Sequence, residues 1–225
     1  MPEIAEVRTV FLLDGHDGAQ LDPGEPELLG RLAELIAIRK LESAAHMQRI
    51  GEYSSLLARA GGLDDDESGR IGMAAPLHDV GKVGIADEIL FKQGEFDAGE
   101  RKEMERHAQA GHDLLADAGS DVLRLAAEIA LTHHERYDGT GYPRALAGEG
   151  IPLAGRIVAV ADVFDALVCD RPYRRALTLE DAVKVMLRGR GGQFDPELID
   201  AFVSELDNVL AAAARTADID LALTR

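Results

Sequence analysis

Apolar residues recur along most of this chain at the three-to-four spacing of a helix face, and no run alternates as a half-buried strand would. From Leu28 to about Ala60 the series Leu35, Ile38, Glu42, His46, Ile50, Tyr53, Leu57 advances by three or four at every step, which predicts one long helix. Gly61-Gly62 ends it. A second helix is predicted from near Asp64, carrying Ile71, Ala74, Ala75 and His78, and stopping before Gly81. Asp97-Ala98-Gly99-Glu100 has the spacing of a capping box and opens a helix to about Ala116. Further helices are predicted from Ser120 or Asp121 to His134, from Leu153 to Cys169 and after Thr178. A last one follows Asp195-Pro196, where Asp caps and Pro takes the first helical position. Tyr137 to Pro152, rich in Gly and Pro, predicts a loop. Residues 1–27 lack sustained periodicity and read as a tail or the stump of a linker. The expected fold class is all-α.

The polar residues that interrupt the apolar faces carry the chemistry. Glu42 and His46 sit four apart on the first stripe. Val122, Leu125, Ala126 and Ile129 lead to His133, with His134 beside it. Met104, His107, Gly111 and Leu114 form another interrupted stripe, as do Val158, Asp162 and Asp165, and His78-Asp79 closes the second helix. Five of the seven histidines and at least three carboxylates are thus expected to point inward from five helices. Taken singly, His107 fits a hydrogen-bonded core residue, Glu42 a salt-bridged acid and Asp162 an acid bonded to a helix end. Taken together, they fit one metal cluster between facing helices, because buried charges are normally paired or metal-bound. His16, in the tail, and His112, off the stripe, read as structural. With no cysteine in the set, mixed His and carboxylate ligation points to Fe, Mn or a mixture rather than thiolate-rich zinc. Adjacent His78 and Asp79 suit paired ions, the His on one and the Asp bridging both. Paired ions activate water and clamp the oxygens of an in-line displacement at phosphorus, so the implied reaction is hydrolysis of a phosphate ester.

Composition narrows the setting. Across 225 residues, 24 Lys+Arg stand against 41 Asp+Glu, and the net charge of −17 argues against a DNA- or RNA-binding surface while leaving room for a small anion in a local pocket. Hydrophobic residues make up 46%, enough for a core, which excludes wholesale disorder. Cys169, the only cysteine, forms no intrachain disulfide and suits a reducing compartment. The first residues lack the pattern of a secretory signal, and no apolar run approaches the roughly 18 residues of a membrane span. A soluble, cytoplasmic protein is expected.

Several segments together resemble the HD-GYP family, bacterial phosphodiesterases of cyclic di-GMP. They are Leu77-His78-Asp79-Val80-Gly81-Lys82-Val83-Gly84-Ile85, then His133 to Pro143, Arg156 to Leu167, Arg171-Pro172-Tyr173-Arg174, and Gly192-Gln193-Phe194-Asp195-Pro196. In that order they span roughly 28–212, which sets the expected domain, with 213–225 as a C-terminal tail. The resemblance implies an HD-type helical bundle with His78, Asp79, His107, His133, His134 and Asp162 holding two divalent ions, and Glu42 and His46 in the places that hold a third in some members. It implies that Asp79 and Lys82 are catalytic, with Lys82 at the scissile phosphate. Arg171 and Arg174 resemble a phosphate or guanine clamp, and Tyr142, in the loop that names the family, is implied as a further substrate contact. The implied reaction opens cyclic di-GMP to linear pGpG, with continuation to GMP left open. Diguanylate cyclases (GGDEF proteins) are implied partners through that loop, and oligomeric state is open. Three residues depart from the usual pattern: Lys40 where an acid is common, and Ala44 and Ala145 where glycine is common. The alternatives are a catalytically silent cyclic di-GMP sensor and a phosphohydrolase of another cyclic dinucleotide or nucleotide.

Overall fold

A computed structural model describes residues 24–170 and 175–216. The expected tails therefore lie almost wholly outside the described residues, as do His16, Arg171 and Arg174. The described residues form ten α-helices: α1 (Glu25–Ile38), α2 (Ala44–Ala60), α3 (Asp65–Ala74), α4 (Asp87–Leu90), α5 (Ala98–Leu115), α6 (Asp121–Thr132), α7 (Leu153–Val168), α8 (Leu179–Arg188), α9 (Pro196–Ser204) and α10 (Leu206–Ala213). Among them there is no β-strand, only an isolated bridge between Arg190 and Phe194. The fold is all-α, as expected.

The helix starts are written in the sequence. Asp64, Asp97, Ser120, Thr178 and Asp195 each accept a hydrogen bond from a backbone N–H of the turn they open. At Asp97 the full capping box forms, with Glu100 reaching back to the Asp97 N–H. Short helices α4 and α10 carry no signal that the periodicity revealed.

The single long helix expected from Leu28 to Ala60 is instead two. After Ile38 the Lys40 N–H donates to Ala37 O and the Leu41 N–H to Ile36 O, the paired bonds of a Schellman stop. Lys40 takes the left-handed position of that motif, φ 55°, where glycine is usual. Ser43 then starts α2 by accepting from the His46 N–H. This break rotates α1, so its buried face is Leu29, Ala33 and Ile36, whereas Leu35 and Ile38 of the expected stripe are 49% and 62% exposed. Leu114 is likewise exposed, and Leu115 takes the core position on α5.

Helix α2 is the central element, packed against α3, α7, α9 and α10. Its Tyr53 meets Phe164 of α7 edge-on at 5.8 Å, and Phe164 meets Phe202 of α9 at 4.9 Å. Burying each ring stabilises the fold by roughly 1.5–3 kcal/mol. On the other side, α5 packs against α6 and against the 3₁₀ turn Val80–Gly84. Gly81 makes that approach possible: a Cβ there would lie 2.0 Å from His107 O and 2.4 Å from Gly111 N. The contact presses the His78-Asp79 turn onto the helix that carries His107.

Candidate metal centre

The eight residues expected as ligands come from helix ends and turns as much as from helix faces. Glu42 is in the turn before α2, and His46 is in the first turn of α2. His78 and Asp79 lie in the tight turns after α3, and His133 and His134 follow the end of α6. His107 and Asp162 project from within α5 and α7. All eight converge.

They form two groups. Asp79, His107, His133 and His134 present ligand atoms within 4.8 Å of one another, and so do His46, His78 and Asp162. Glu42 adjoins the second group, with Oε2 3.5 Å from His46 Nε2. Asp79 joins the groups through its two oxygens. Oδ1 lies 3.2 Å from His107 Nε2 and 3.7 Å from His133 Nε2, while Oδ2 lies 3.4 Å from His78 Nε2. One carboxylate thus faces both groups and could serve an ion in each.

The imidazoles are oriented by their far nitrogens. His78 donates from Nδ1 to Ala75 O at 2.9 Å, His107 to Met104 O at 2.6 Å, and His133 to Ile129 O and Ala130 O at 3.1 Å. His46 donates from Nδ1 to Asp165 Oδ2 at 2.8 Å. Each bond leaves Nε2 aimed inward, as outer partners of metal-binding histidines do. The Nε2 atoms of His46, His78, His107 and His133, together with Asp79 Oδ1, are buried without a hydrogen-bond partner. Buried polar atoms left unpaired in this way are costly unless something binds them. Mixed nitrogen and oxygen donors fit divalent cations, so the residues present fit the implied metal.

Electrostatics divide the site. For His78, burial pushes the pKa down, but Asp79, Asp162 and Glu42 outweigh it and lift it to about 9. His46 is raised in the same way, burial being outweighed by Glu42, Asp165 and Asp162. His133 and His134 go the other way: burial and neighbouring imidazoles hold both down, His134 far down, so they present neutral ligands. Burial opposes ionisation of Asp79, yet Lys82 and the surrounding histidines hold its carboxyl well below the usual range. Lys82 pairs with Asp79 and, at 2.9 Å, with Glu42; these carboxylates overcome burial and keep it an ammonium.

Two further residues support the centre, and nothing in the local spacing announces their partners. Asp165 lies on the interior stripe of α7. It accepts from His46 and from both Nε and Nη2 of buried Arg49. Glu135 is buried one residue past the histidine pair, where periodicity no longer speaks. Its carboxylate accepts from the Arg144 N–H at 2.7 Å and the Leu146 N–H at 3.0 Å, pinning the Gly141-Tyr142-Pro143 loop. Gly141 lets that loop lie against the backbone, since a Cβ would sit 2.4 Å from Arg136 N. Tyr142 consequently stacks on His134 with ring centroids 4.7 Å apart. Ala145, where glycine is common in the resembled family, has φ 52°. Beside the centre opens a cleft of about 540 Å³, with Glu42, Lys82, His107 and His134 on its metal side.

Comparison with known proteins agrees with this geometry. Residues 31–198 match the family described as HD domain. A cyclic di-GMP phosphodiesterase response regulator of Xanthomonas campestris is 45% identical over 184 residues, covering 82% of this chain and 49% of that protein. A cyclic di-GMP phosphodiesterase of Thermotoga maritima is 41% identical, covering 86% of this chain and 52% of that protein. A 3'3'-cGAMP-specific phosphodiesterase of Vibrio cholerae is also 41% identical, over 85% and 37%. The chain thus spans about half or less of the length of the curated relatives it matches. Among solved structures, an HDG"Y"P protein from Bdellovibrio bacteriovorus superposes with a TM-score of 0.61 at 16% identity, over 92% of this chain and 69% of that one, a likeness of fold. The chain belongs to the HD domain family, and its Gly141-Tyr142-Pro143 loop makes it an HD-GYP member.

Proposed function

We propose that this chain is a metal-dependent phosphodiesterase that opens cyclic di-GMP to linear pGpG. The observation that carries the reading is Asp79 set between two groups of buried, inward-facing ligands. His107, His133 and His134 would hold one ion with Asp79, and His78 and Asp162 a second; Glu42 and His46 supply donors for a third. The His and carboxylate donor set favours Fe or Mn. Divalent ions supply Lewis-acid stabilisation at the phosphoryl group and make water nucleophilic at neutral pH.

The chain's own residues do the rest. Lys82, held as an ammonium at the mouth of the ligand groups, contacts a non-bridging or leaving oxygen and favours the charge that develops there. Asp79 positions that ammonium as well as the ions. Tyr142 and His134 form one wall of the cleft and limit water around the reacting phosphate. Arg171 and Arg174, outside the described residues, keep the proposed role of a guanine or phosphate clamp. The Gly-Tyr-Pro loop, pinned by Glu135, presents a fixed surface to a diguanylate cyclase partner. The relatives named for cyclic di-GMP and for 3'3'-cGAMP favour a cyclic dinucleotide over a general nucleotide.

Chromatography of cyclic di-GMP incubated with the metal-loaded chain tests the proposal. Linear pGpG should accumulate with the wild type and be absent with Asp79→Ala. Full activity in Asp79→Ala would contradict the mechanism.

A further inference from the structure

Besides the candidate ligands, the cleft is lined by Lys40, Leu41, Leu90, Phe91 and Phe96, none of which belongs to the ligand groups. Of the six phenylalanines, Phe11 lies outside the described residues, and Phe164, Phe194 and Phe202 are buried in the core. The other two, Phe91 and Phe96, both line the cleft, and Phe91 is 48% exposed. Burial would be the ordinary fate of such rings. In a chain with 4% aromatic residues, two placed together at a solvent-facing cleft make a platform for a flat ligand.

Lys40 is the second observation. It occupies the left-handed position of the α1 stop, φ 55°, where glycine would close the same turn without Cβ strain. Residues held in such conformations persist where the surroundings or the function require them. Its side chain is exposed on the cleft, and among the described residues no carboxylate pairs with its ammonium. Lys82, the other described cation on the cleft, is already held by Glu42 and Asp79. An uncompensated cation lining the same cleft as two aromatic rings, next to a proposed phosphodiester site, matches phosphate and base of a further nucleotide.

We propose that Lys40, Phe91 and Phe96 form a nucleotide subsite for the half of a cyclic dinucleotide that is distal to the scissile phosphate. The rings stack one purine and the ammonium contacts the second phosphate. This rests on the reading of the cleft as a cyclic-dinucleotide site and adds how its far half is held. Stacking engages the π-face that every base has, so the subsite accepts adenine as readily as guanine. The cleft volume of about 540 Å³ falls within the range of pockets that enclose small ligands.

The test is steady-state kinetics of the metal-loaded full chain with cyclic di-GMP and with 3'3'-cGAMP. Phe91→Leu, which keeps an apolar side chain but loses the ring, should raise KM about tenfold for both substrates with little change in kcat. Phe91→Tyr should restore KM. Lys40→Gly should raise KM about tenfold and at the same time raise the thermal midpoint by a few degrees, because the strain leaves with the charge. An unchanged KM in Phe91→Leu and Lys40→Gly, or a loss confined to kcat, would overturn the subsite. Should the wild type bind but not turn over cyclic di-GMP, the catalytic reading fails alone. Calorimetric titration with cyclic di-GMP then decides the subsite: affinity lowered by the same factors supports it, and affinity equal to wild type overturns it. A wild type that does not bind cyclic di-GMP overturns both.

Discussion

Asp165 governs the His46 side of the centre without belonging to it. Burial works against its charge, but His46 and Arg49 hold its pKa at about 2, so it stays a carboxylate at any working pH. Arg49 in turn donates to Thr216 Oγ1 at 3.1 Å, tying this orientation to the segment after α10. Asp165→Asn keeps the shape and removes the charge. Titration with Mn²⁺ should show affinity at the His46 group weakened by about 10–100-fold. Urea unfolding of the metal-free variant should show a loss of about 3 kcal/mol, because Arg49 is left buried without its carboxylate. Unchanged affinity would mean that His46 needs no orienting partner. At this scale the sequence was unusually legible. Histidines and acids stand out on apolar stripes because burial makes them expensive, and that marked all eight candidate ligands. Arg49 and Glu135 were hidden for the opposite reason, as was the pairing that occupies Asp165 on its interior stripe. Their partners lie far along the chain or in a loop, and no local spacing announces such a pairing.

The helices place the ligands, and capping fixes where they begin. Asp97 starts α5, the helix that carries His107, and accepts from the N–H groups of Gly99 and Glu100. Those backbone bonds, with the Lys92 charge as a smaller cause, hold the Asp97 carboxyl below its usual range. A lowered carboxylate pKa gives stability that is present in full above the unfolded value, about 3.9, and lost as pH falls through the lower folded value. Asp97→Ala should therefore lower the unfolding midpoint at pH 7, and the difference from wild type should shrink steadily below about pH 4. A difference independent of pH would show that the cap does not act through its charge. Gly81 is the second element-scale control. Gly81→Ala must push the Val80–Gly84 turn off α5, because a Cβ would meet the His107 carbonyl at 2.0 Å. The expected result is a variant with a lower melting point and reduced metal content, read by thermal denaturation and elemental analysis. Element boundaries show where local pattern fails. Spacing of three and four continued straight through 39–43, yet the chain breaks there, with Lys40 left-handed and Ser43 as a new cap. The break moves Glu42 out of the helix and into contact with Lys82, an arrangement set by tertiary charge pairing rather than by helix period.

Across the whole molecule, the proposed centre fastens together elements distant in sequence, from Glu42 to Asp162. Ligands that bind only the folded state stabilise it by mass action. Removing the ions with a chelator should lower the thermal midpoint by about 5–10 °C for each site held at a hundredfold excess over its Kd, and adding Mn²⁺ or Fe²⁺ back should restore it. A midpoint indifferent to chelation would show that the buried histidines do not carry metal. The overall charge of −17 makes local placement of cations decisive. Among the described residues lining the cleft, the lysines that would meet a substrate anion are Lys82 and the exposed Lys40, beside any bound ions.

The most direct test of the proposed bridged centre is to count metal and turnover on one anaerobically purified sample. Two or three ions per chain are expected, with pGpG released from cyclic di-GMP. In Asp79→Ala both the ion count and the turnover should fall together, because one carboxylate serves both groups. A wild-type chain with full occupancy that binds cyclic di-GMP and releases no product would contradict the catalytic reading. An Asp79→Ala chain that keeps its full complement of ions would contradict the bridge.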